Sequence, residues 1–556
     1  MQVSKNTCLR NGISFAKGGD MKKIIALFIF GMTIFYSCKT AEQKAKKEEK
    51  KISKRDYSIS KDNSYNDIFL DSADVIKYIA QNTISDSISR RIISFYNTRN
   101  YEYAWFSSDG ISEQAMGFSS LLNFSNDTTS KQKKLEKEMD NLMADSNLQV
   151  RKNIKSIRNT ELLLTERLIE YSLTNFEKGY VKRKELERFI PFKKENPLEL
   201  ADSLLNKKHK DDKYFSDINK SYKLLEDQLR RYVDIAKSGG WPSIGKVNLR
   251  EFKQNHSSSQ VISMKRVLIA TGDIQLKDTS DLYDSNLRNG IKSFQLRFGF
   301  TPDGKLDDKL IKEMNVSVIN RIKQILINMN RMRWLPQEPE GRLIEVNIPA
   351  FTLQVHNGKD AIFSMPVVVG KEGHNTTLFS DMMTTIVFSP YWNVPSSIVK
   401  NEIIPGMDAD PNYLDVHNME ITGQQGNLPV VRQKPGPENS LGKVKFLFPN
   451  SFNIYLHDTP AKELFNKDIR AFSHGCIRVY DPEKLSNYLL KNNDDWTPEK
   501  IKKAMNSGNE QYVKLKKPVP VFITYYTAWV DGDGVLNFRD DIYGHDKEVA
   551  QKMFTR

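Results

Sequence analysis

Cysteine is nearly absent from this chain: its 556 residues hold three, Cys8, Cys38 and Cys476, so no disulfide framework staples it. If Cys8 and Cys38 leave or are modified during export, Cys476 remains as a solitary thiol, which suits a nucleophile in an oxidising compartment. The paired Cys-x-x-Cys and His-x-x-x-His spacings of structural zinc are missing. An aromatic ribonucleoprotein motif and a Gly-rich phosphate loop are missing too. Nucleic acid is therefore the least expected partner, although the net charge of +14 would by itself fit nucleic acid, an anionic membrane or a carboxylate-rich polymer. Long hydrophobic runs are also scarce. The one candidate, Ile24 to Tyr36, falls short of the about 20 residues of a spanning helix.

What is present concentrates around the last cysteine. Tyr455-Leu456-His457-Asp458-Thr459-Pro460 is followed by Ser473-His474-Gly475-Cys476-Ile477-Arg478-Val479, which brings a thiol close to two imidazoles. Attack on an amide carbonyl needs a thiolate, and a free cysteine with a pKa of about 8.5 supplies little at neutral pH, so a neighbouring base must take the proton. His457 follows the apolar, strand-like run 452–456, and two adjacent strands joined by a loop would carry it to Cys476. His474, two residues from the thiol, more easily shapes the loop. Two other readings compete: a buried, inert cysteine in an apolar strand, and a zinc site of His457, Asp458, His474 and Cys476, which lacks the usual ligand spacing. No metal and no cofactor is expected.

These residues resemble the signature of the L,D-transpeptidases of bacterial cell-wall synthesis: a histidine, a gap of somewhat under twenty residues, then Ser/Thr-His-Gly-Cys, an apolar residue and Arg or Asn. The resemblance implies Cys476 as nucleophile, His457 as general base and the backbone carbonyl of Asp458 as its orienter, with a role for the Asp458 side chain left open. Gly475 and Cys476 are the expected amide donors to the oxyanion, and Arg478 the group for a substrate carboxylate. His474, Ser473, Tyr455 and Trp392 are the further substrate-binding candidates. Trp392 serves equally as a packing anchor at the root of a lid. His374 is read as an exposed loop histidine.

Organisation along the chain fits the same family. The length implies about three domains at about 150 residues each. Residues 1–20 carry no targeting logic and are read as an upstream, non-native extension. Met21-Lys22-Lys23 and the apolar run make 21–38 an export signal. It ends in Phe35-Tyr36-Ser37-Cys38, which resembles a loose lipobox, so Cys38 is a lipidation candidate beside a retained anchor or plain secretion. Residues 39–62, rich in Lys and Glu, read as a polar tether to a membrane. Helical spacing across 63–250 predicts a mostly helical scaffold, with Tyr101-Glu102-Tyr103-Ala104-Trp105 resembling the scaffold of the larger Gram-negative members and Trp105 read as core.

Residues 257–316, with Phe294-Gln295 and Phe300-Thr301-Pro302-Asp303-Gly304, resemble a small three-helix peptidoglycan-binding domain, whose binding competence stays open. A linking helix spans 317–338. Strand-like runs at 342–348, 352–356, 364–370 and 384–388 open a mainly-β, sandwich-type catalytic domain across 339–530. Residues 390–446 are inserted as a lid, and 531–556 form a C-terminal segment. The expected fold class is thus multidomain α and β.

The resemblance implies a cysteine acyltransferase in the cell envelope. Cys476 would attack the third-residue carbonyl of a peptidoglycan stem tetrapeptide, release D-Ala, and pass the acyl group to the side-chain amine of a second stem as a 3–3 cross-link. It also implies acylation by carbapenems. Two alternatives remain at this stage: an L,D-carboxypeptidase, in which water resolves the thioester, and a catalytically idle wall-binding scaffold.

Overall fold

The computed structural model describes residues 52–125, 128–144, 154–175, 190–206, 220–250, 252, 255–275, 278 and 280–555. The segment 21–38 expected to be an export signal, Cys8 and Cys38 lie outside the described residues. Among the described residues, no helix is long and apolar enough to cross a membrane.

Short polar side chains at the cap positions start the helices of the N-terminal half. Asp71, Ser85 and Ser112 each accept a hydrogen bond from a first-turn amide of α1 (Ser72–Gln81), α2 (Asp86–Thr98) and α3 (Glu113–Phe124). With α4 (Ser130–Ala144) and α5 (Ile154–Asn175) these helices enclose a core containing Val75, Phe95, Trp105, Phe118, Leu135 and Leu164. Trp105 is fully buried, stacks on Phe118 and donates its indole N–H to Thr165 at 3.0 Å. It is core, as the sequence implied. A two-strand hairpin, β1 (Phe106–Ser107) and β2 (Gly110–Ile111), links α2 to α3.

The tether reading fails at its C-terminal end. Ser53, Asp56 and Ile59 are held on α2 and its C-terminal turn by bonds from Ser53 N to Ser94 Oγ (3.1 Å), from Asp56 N to Asn97 O (2.9 Å) and from Asn100 Nδ2 to Ile59 O (2.8 Å), and Ile59 is buried. Local polarity predicted a solvated segment. The backbone instead finds polar partners contributed from forty residues away.

Helices α6 (Pro197–Asn206) and α7 (Lys220–Lys237) pack away from the first core. They join α8 (Ser259–Thr271), α9 (Ser285–Arg297), α10 (Asp308–Met314) and the long α11 (Val318–Met332) in a second one. Inside the three-helix module, Gln295 clamps the turn read from Pro302-Asp303-Gly304: it accepts from Gly304 N at 2.7 Å and donates to Lys305 O at 2.9 Å. The C-terminal segment belongs to the same core. Strands β15 (Ala528–Val530) and β16 (Leu536–Phe538) set Phe538 against Phe298, with ring centroids 5.2 Å apart.

The helix α11 is more spine than linker. Its buried Arg331 bonds Glu113 of α3 and Asp546 of the C-terminal helix His545–Met553, each at 2.5 Å, while Asn328 donates to Thr527 at 2.7 Å. Removing a guanidinium that neutralises two carboxylates leaves buried charge without a partner. Arg331→Met is therefore expected to cost about 3–5 kcal/mol in the unfolding transition of this region, measured by urea denaturation.

The C-terminal half holds one sheet that folds back on itself. Its strands are β3 (Arg342–Asn347), β4 (Thr352–Asn357), β5 (Asp360–Gly370), β6 (Phe379–Phe388), β10 (Val444–Leu447), β11 (Leu456–His457), β12 (Ala471–Ser473), β13 (Ile477–Val479) and β14 (Gln511–Thr524). They run in the order β12-β5-β13-β11-β10-β6-β14-β3-β4, and β4 pairs with β5 again, so the layers of the sandwich are continuous. Long β5 makes the closure possible: its first half pairs with β4 and its last residues with β13 and β12. Inward residues such as Val346, Val369, Ile386, Phe446 and Leu456 fill the core.

The insertion forms β7 (Trp392–Asn393), β8 (Met419–Gln425) and β9 (Leu428–Gln433), a separate sheet with a helical run across 396–409 and a small core of its own around Val399, Ile403 and Val431. It ends earlier than the sequence implied. Val444 to Phe446 lie in β10 of the main sheet because Val444 and Phe446 alternate into the core around Lys445.

Candidate active site

Strand parity builds the site. Strands β11 and β13 pair in parallel, Leu456 opposite Ile477 and His457 opposite Arg478. Leu456 and Ile477 are fully buried in the core. Because side chains alternate across a strand, Tyr455, His457, Cys476 and Arg478 then share the opposite face. The Tyr455 and His457 rings meet edge to face with centroids 5.7 Å apart, and burial together with the adjacent Cys476 pushes the Tyr455 hydroxyl pKa upward.

His457 is buried, and its Nδ1 lies 2.5 Å from the backbone carbonyl of Asp458. A carbonyl can only accept, so Nδ1 carries the proton and Nε2 keeps its lone pair. The Asp458 carboxylate is turned elsewhere. It accepts from Lys443 N at 2.9 Å and from Lys462 Nζ at 2.8 Å. Burial, then the positive charge of Arg478, pushes the His457 pKa down to about 3. The Cys476 thiol is pushed up by burial, against the lowering influence of Tyr455 and Arg478. The resting pair is therefore neutral imidazole and neutral thiol. Iodoacetamide, which reads the thiolate, is expected to alkylate Cys476 more slowly than free cysteine at pH 7, with a rate still climbing above pH 9. A rate that levels off near neutral pH would show a preformed ion pair instead.

The loop before the thiol is set by small residues. Gly475 has φ +110°, a conformation that side chains disfavour. Its carbonyl accepts from Thr376 Oγ1 at 2.8 Å, and Thr376 Oγ1 in turn accepts from Gly370 N at 3.0 Å. Ser473 is buried, receives Gly475 N at 3.2 Å and donates to Cys476 O at 2.5 Å. This corrects two expectations. Ser473 braces the loop rather than facing a substrate, and the Gly475 amide is engaged, so that of the two expected oxyanion donors the Cys476 amide is the one without an internal partner among the described residues.

Around this centre the remaining candidates separate. Among the described residues the buried Arg478 Nε finds no hydrogen-bond partner. His474 is exposed, lies 3.6 Å from Glu402 of the insertion and packs at a tilt against His374, ring centroids 4.7 Å apart, and His374 is exposed in its loop as expected. Trp392 sits on β7, packs against the lid's own core and does not line the cavity at Cys476. That cavity is bounded by 451–454, Asn375, Thr377 and the His474-to-Cys476 loop, and also by Asp140 and Met143 of α4.

The expected strand across 452–456 shortens to Leu456–His457 because Asn450 closes a turn before it. Asn450 Oδ1 accepts from Phe452 N and Ile454 N, both at 3.1 Å, Asn453 takes φ +55°, and the Asn453 carbonyl comes to 3.6 Å from the Cys476 sulfur. An Asn three residues before a second Asn is turn chemistry that the apolar neighbours masked. Among the described residues no three His, Cys, Asp or Glu side chains converge as metal ligands.

Comparison with known proteins matches the domain that holds these residues. Residues 341–523 match the family model of the L,D-transpeptidase catalytic domain, residues 90–229 that of a scaffold domain, and residues 257–314 that described as "Putative peptidoglycan binding domain". Over 254 residues the chain is 34% identical to a Haemophilus influenzae protein named "Putative L,D-transpeptidase"; the match covers 43% of this chain and spans 50% of the length of that curated relative. A solved L,D-transpeptidase from Stackebrandtia nassauensis is 13% identical over 49% of this chain and 93% of its own, with a TM-score of 0.21. Another, from Mycobacterium smegmatis, is 13% identical over 33% and 58%, with a TM-score of 0.19. The assignment rests on the sequence matches and not on these superpositions. Residues 341–523 of this chain thus match an L,D-transpeptidase catalytic domain, preceded by matches to a scaffold domain and to a peptidoglycan-binding domain.

Proposed function

We propose that this protein forms 3–3 cross-links between peptidoglycan stem peptides through a thioester on Cys476, with release of terminal D-Ala. The observation that carries the reading is the alignment of Tyr455, His457, Cys476 and Arg478 on one face of two paired strands. His457 Nε2 takes the thiol proton as sulfur attacks the third-residue carbonyl, and the developing oxyanion meets the Cys476 amide. The C–N bond to D-Ala then breaks, and the departing amine receives the proton from His457. An acceptor amine attacks the thioester, its proton passes to His457, and the C–S bond breaks. The thiolate recovers that proton. One amide is exchanged for another, so no ATP is needed.

A neutral resting pair supports a thiol that is silent until substrate arrives, because binding displaces water and lets proton transfer and attack proceed together. The unpartnered Nε of Arg478 supports a carboxylate of the donor stem as its ligand. The lid, touching His474 through Glu402, would exclude water and so favour amine over hydrolysis. The export signal at 21–38 and Cys38 support an enzyme tethered to a membrane in the periplasm, with stem peptides as donor and acceptor.

Product analysis with purified tetrapeptide stems tests the reading. Dimers joined through third residues, with one D-Ala released per cross-link, are expected. Tripeptide monomers alone would make the enzyme an L,D-carboxypeptidase, and no turnover would leave the wall-binding scaffold.

A further inference from the structure

The cleft beside Cys476 is not closed by the catalytic domain alone. Its cavity, about 320 Å³, has Asp140 and Met143 of the scaffold helix α4 as one wall. The same two residues, with Ser451 and Phe452, line a second cavity in the seam between scaffold and sheet. The two cavities thus share one wall. The wall is firmly seated: Met139 and Leu142 of α4 are buried, Lys131 bonds Glu170 of α5 at 2.7 Å, and α3 is fixed on the sheet by Ser380 N donating to Ser120 Oγ at 2.7 Å and by Phe124 against Phe522.

Arg478 shares the strand face of the thiol but is not among the residues that line this cavity. Among the described residues that do line it, Asp140 carries the one fixed charge, and it is exposed to the cleft while Met143 beside it is half-buried. Of the two reacting groups of a transpeptidation, the acceptor's arrives as an ammonium. A lone carboxylate in the cavity complements it.

We propose that Asp140 and Met143 form the acceptor subsite, Asp140 receiving the side-chain ammonium of the second stem and Met143 its apolar body, so that the scaffold domain selects the acceptor. The inference rests on the transpeptidase reading above. The ammonium sheds one proton to water as it advances to the thioester; the second passes through His457 to the departing sulfur as the amide forms.

The test uses the full chain with a donor tetrapeptide whose third-residue amine is acetylated, so that it cannot couple to itself, and a tripeptide stem with a free side-chain amine as acceptor. Hydroxylamine, small and neutral, serves as a nucleophile that needs no subsite. Asp140→Asn is expected to raise the apparent KM for the peptide acceptor about 5-fold, in the range of a partly exposed ion pair. Asp140→Glu should restore most of it, while D-Ala release and capture by hydroxylamine stay within about 2-fold of wild type, since the lost interaction is made only with the acceptor. An Asn variant with the wild-type acceptor KM, or one losing hydroxylamine capture in the same proportion, would overturn the subsite. Failure of the wild type to release D-Ala at all would instead overturn the transpeptidase reading on which the subsite depends.

Discussion

Replacement of Cys476 by alanine is expected to abolish covalent acylation by a carbapenem, at least about 10³-fold in rate, while leaving the fold in place. The thiol is the sole nucleophile in the cavity of the type that thioester chemistry requires, and a methyl group offers no lone pair to the carbonyl. Its structural contribution is small. The sulfur lies 3.6 Å from the Asn453 carbonyl and interacts with Tyr455 beside it, weak thiol contacts whose loss costs little. Strands β11 and β13 are held by Leu456 and Ile477 on the other face. Intact mass spectrometry after mixing with a carbapenem, beside a thermal melt of each protein, checks both halves: an adduct on the wild type alone, and melting temperatures within a few degrees. An adduct of equal yield on the alanine variant would remove Cys476 from the chemistry.

His457→Ala should lower the acylation rate by about 10²–10⁴-fold, the usual worth of a positioned general base. The contrast with its neighbour is the sharper part. The Asp458 carbonyl fixes the imidazole, while its carboxylate binds Lys443 N and Lys462. Asp458→Ala keeps the carbonyl and loses those two bonds, so it is expected to cost about 1–3 kcal/mol of stability and less than about 10-fold in single-turnover acylation, since the base itself remains. If the carboxylate acted as the third member of the triad, the two variants would fall together. Rapid-mixing measurements of adduct formation by each separate the cases.

How far the site could be read from the chain alone depends on how local its causes are. Tyr455, His457, Cys476 and Arg478 were legible because two short segments carry them and period-2 alternation settles which face they share. The helices of the three-helix module were legible for the same reason, through apolar spacing at Val261, Met264 and Val267 and at Leu287, Ile291 and Phe294. The closing of the sheet was less so. It depends on β5 changing partners midway along its length, which no pattern within β5 announces.

The misreadings share one origin, a partner distant in sequence. Ser473 looked free to meet a substrate, yet the backbone of its own loop consumes its hydroxyl. Residues 53–59 looked solvated, yet α2 and the turn after it supply partners for their backbone. Thr376, which joins Gly370 to Gly475 beneath the nucleophile loop, carries no signal in the sequence that sets it apart from Thr377 beside it. Asp140 and Met143 stand more than three hundred positions from Cys476, and nothing in their helix points to an active site until the scaffold is seated on the sheet.

The central claim is a thioester between Cys476 and a stem peptide, and an acid-quenched reaction of the full chain with a purified tetrapeptide stem tests it most directly. Intact mass spectrometry should find the protein heavier by the stem tripeptide acyl group, with digestion placing the addition on the peptide that contains Cys476. Adding an amine acceptor should discharge it as the cross-linked product appears. Cross-links that form with no such intermediate, or that persist in the Cys476→Ala chain, would contradict the account.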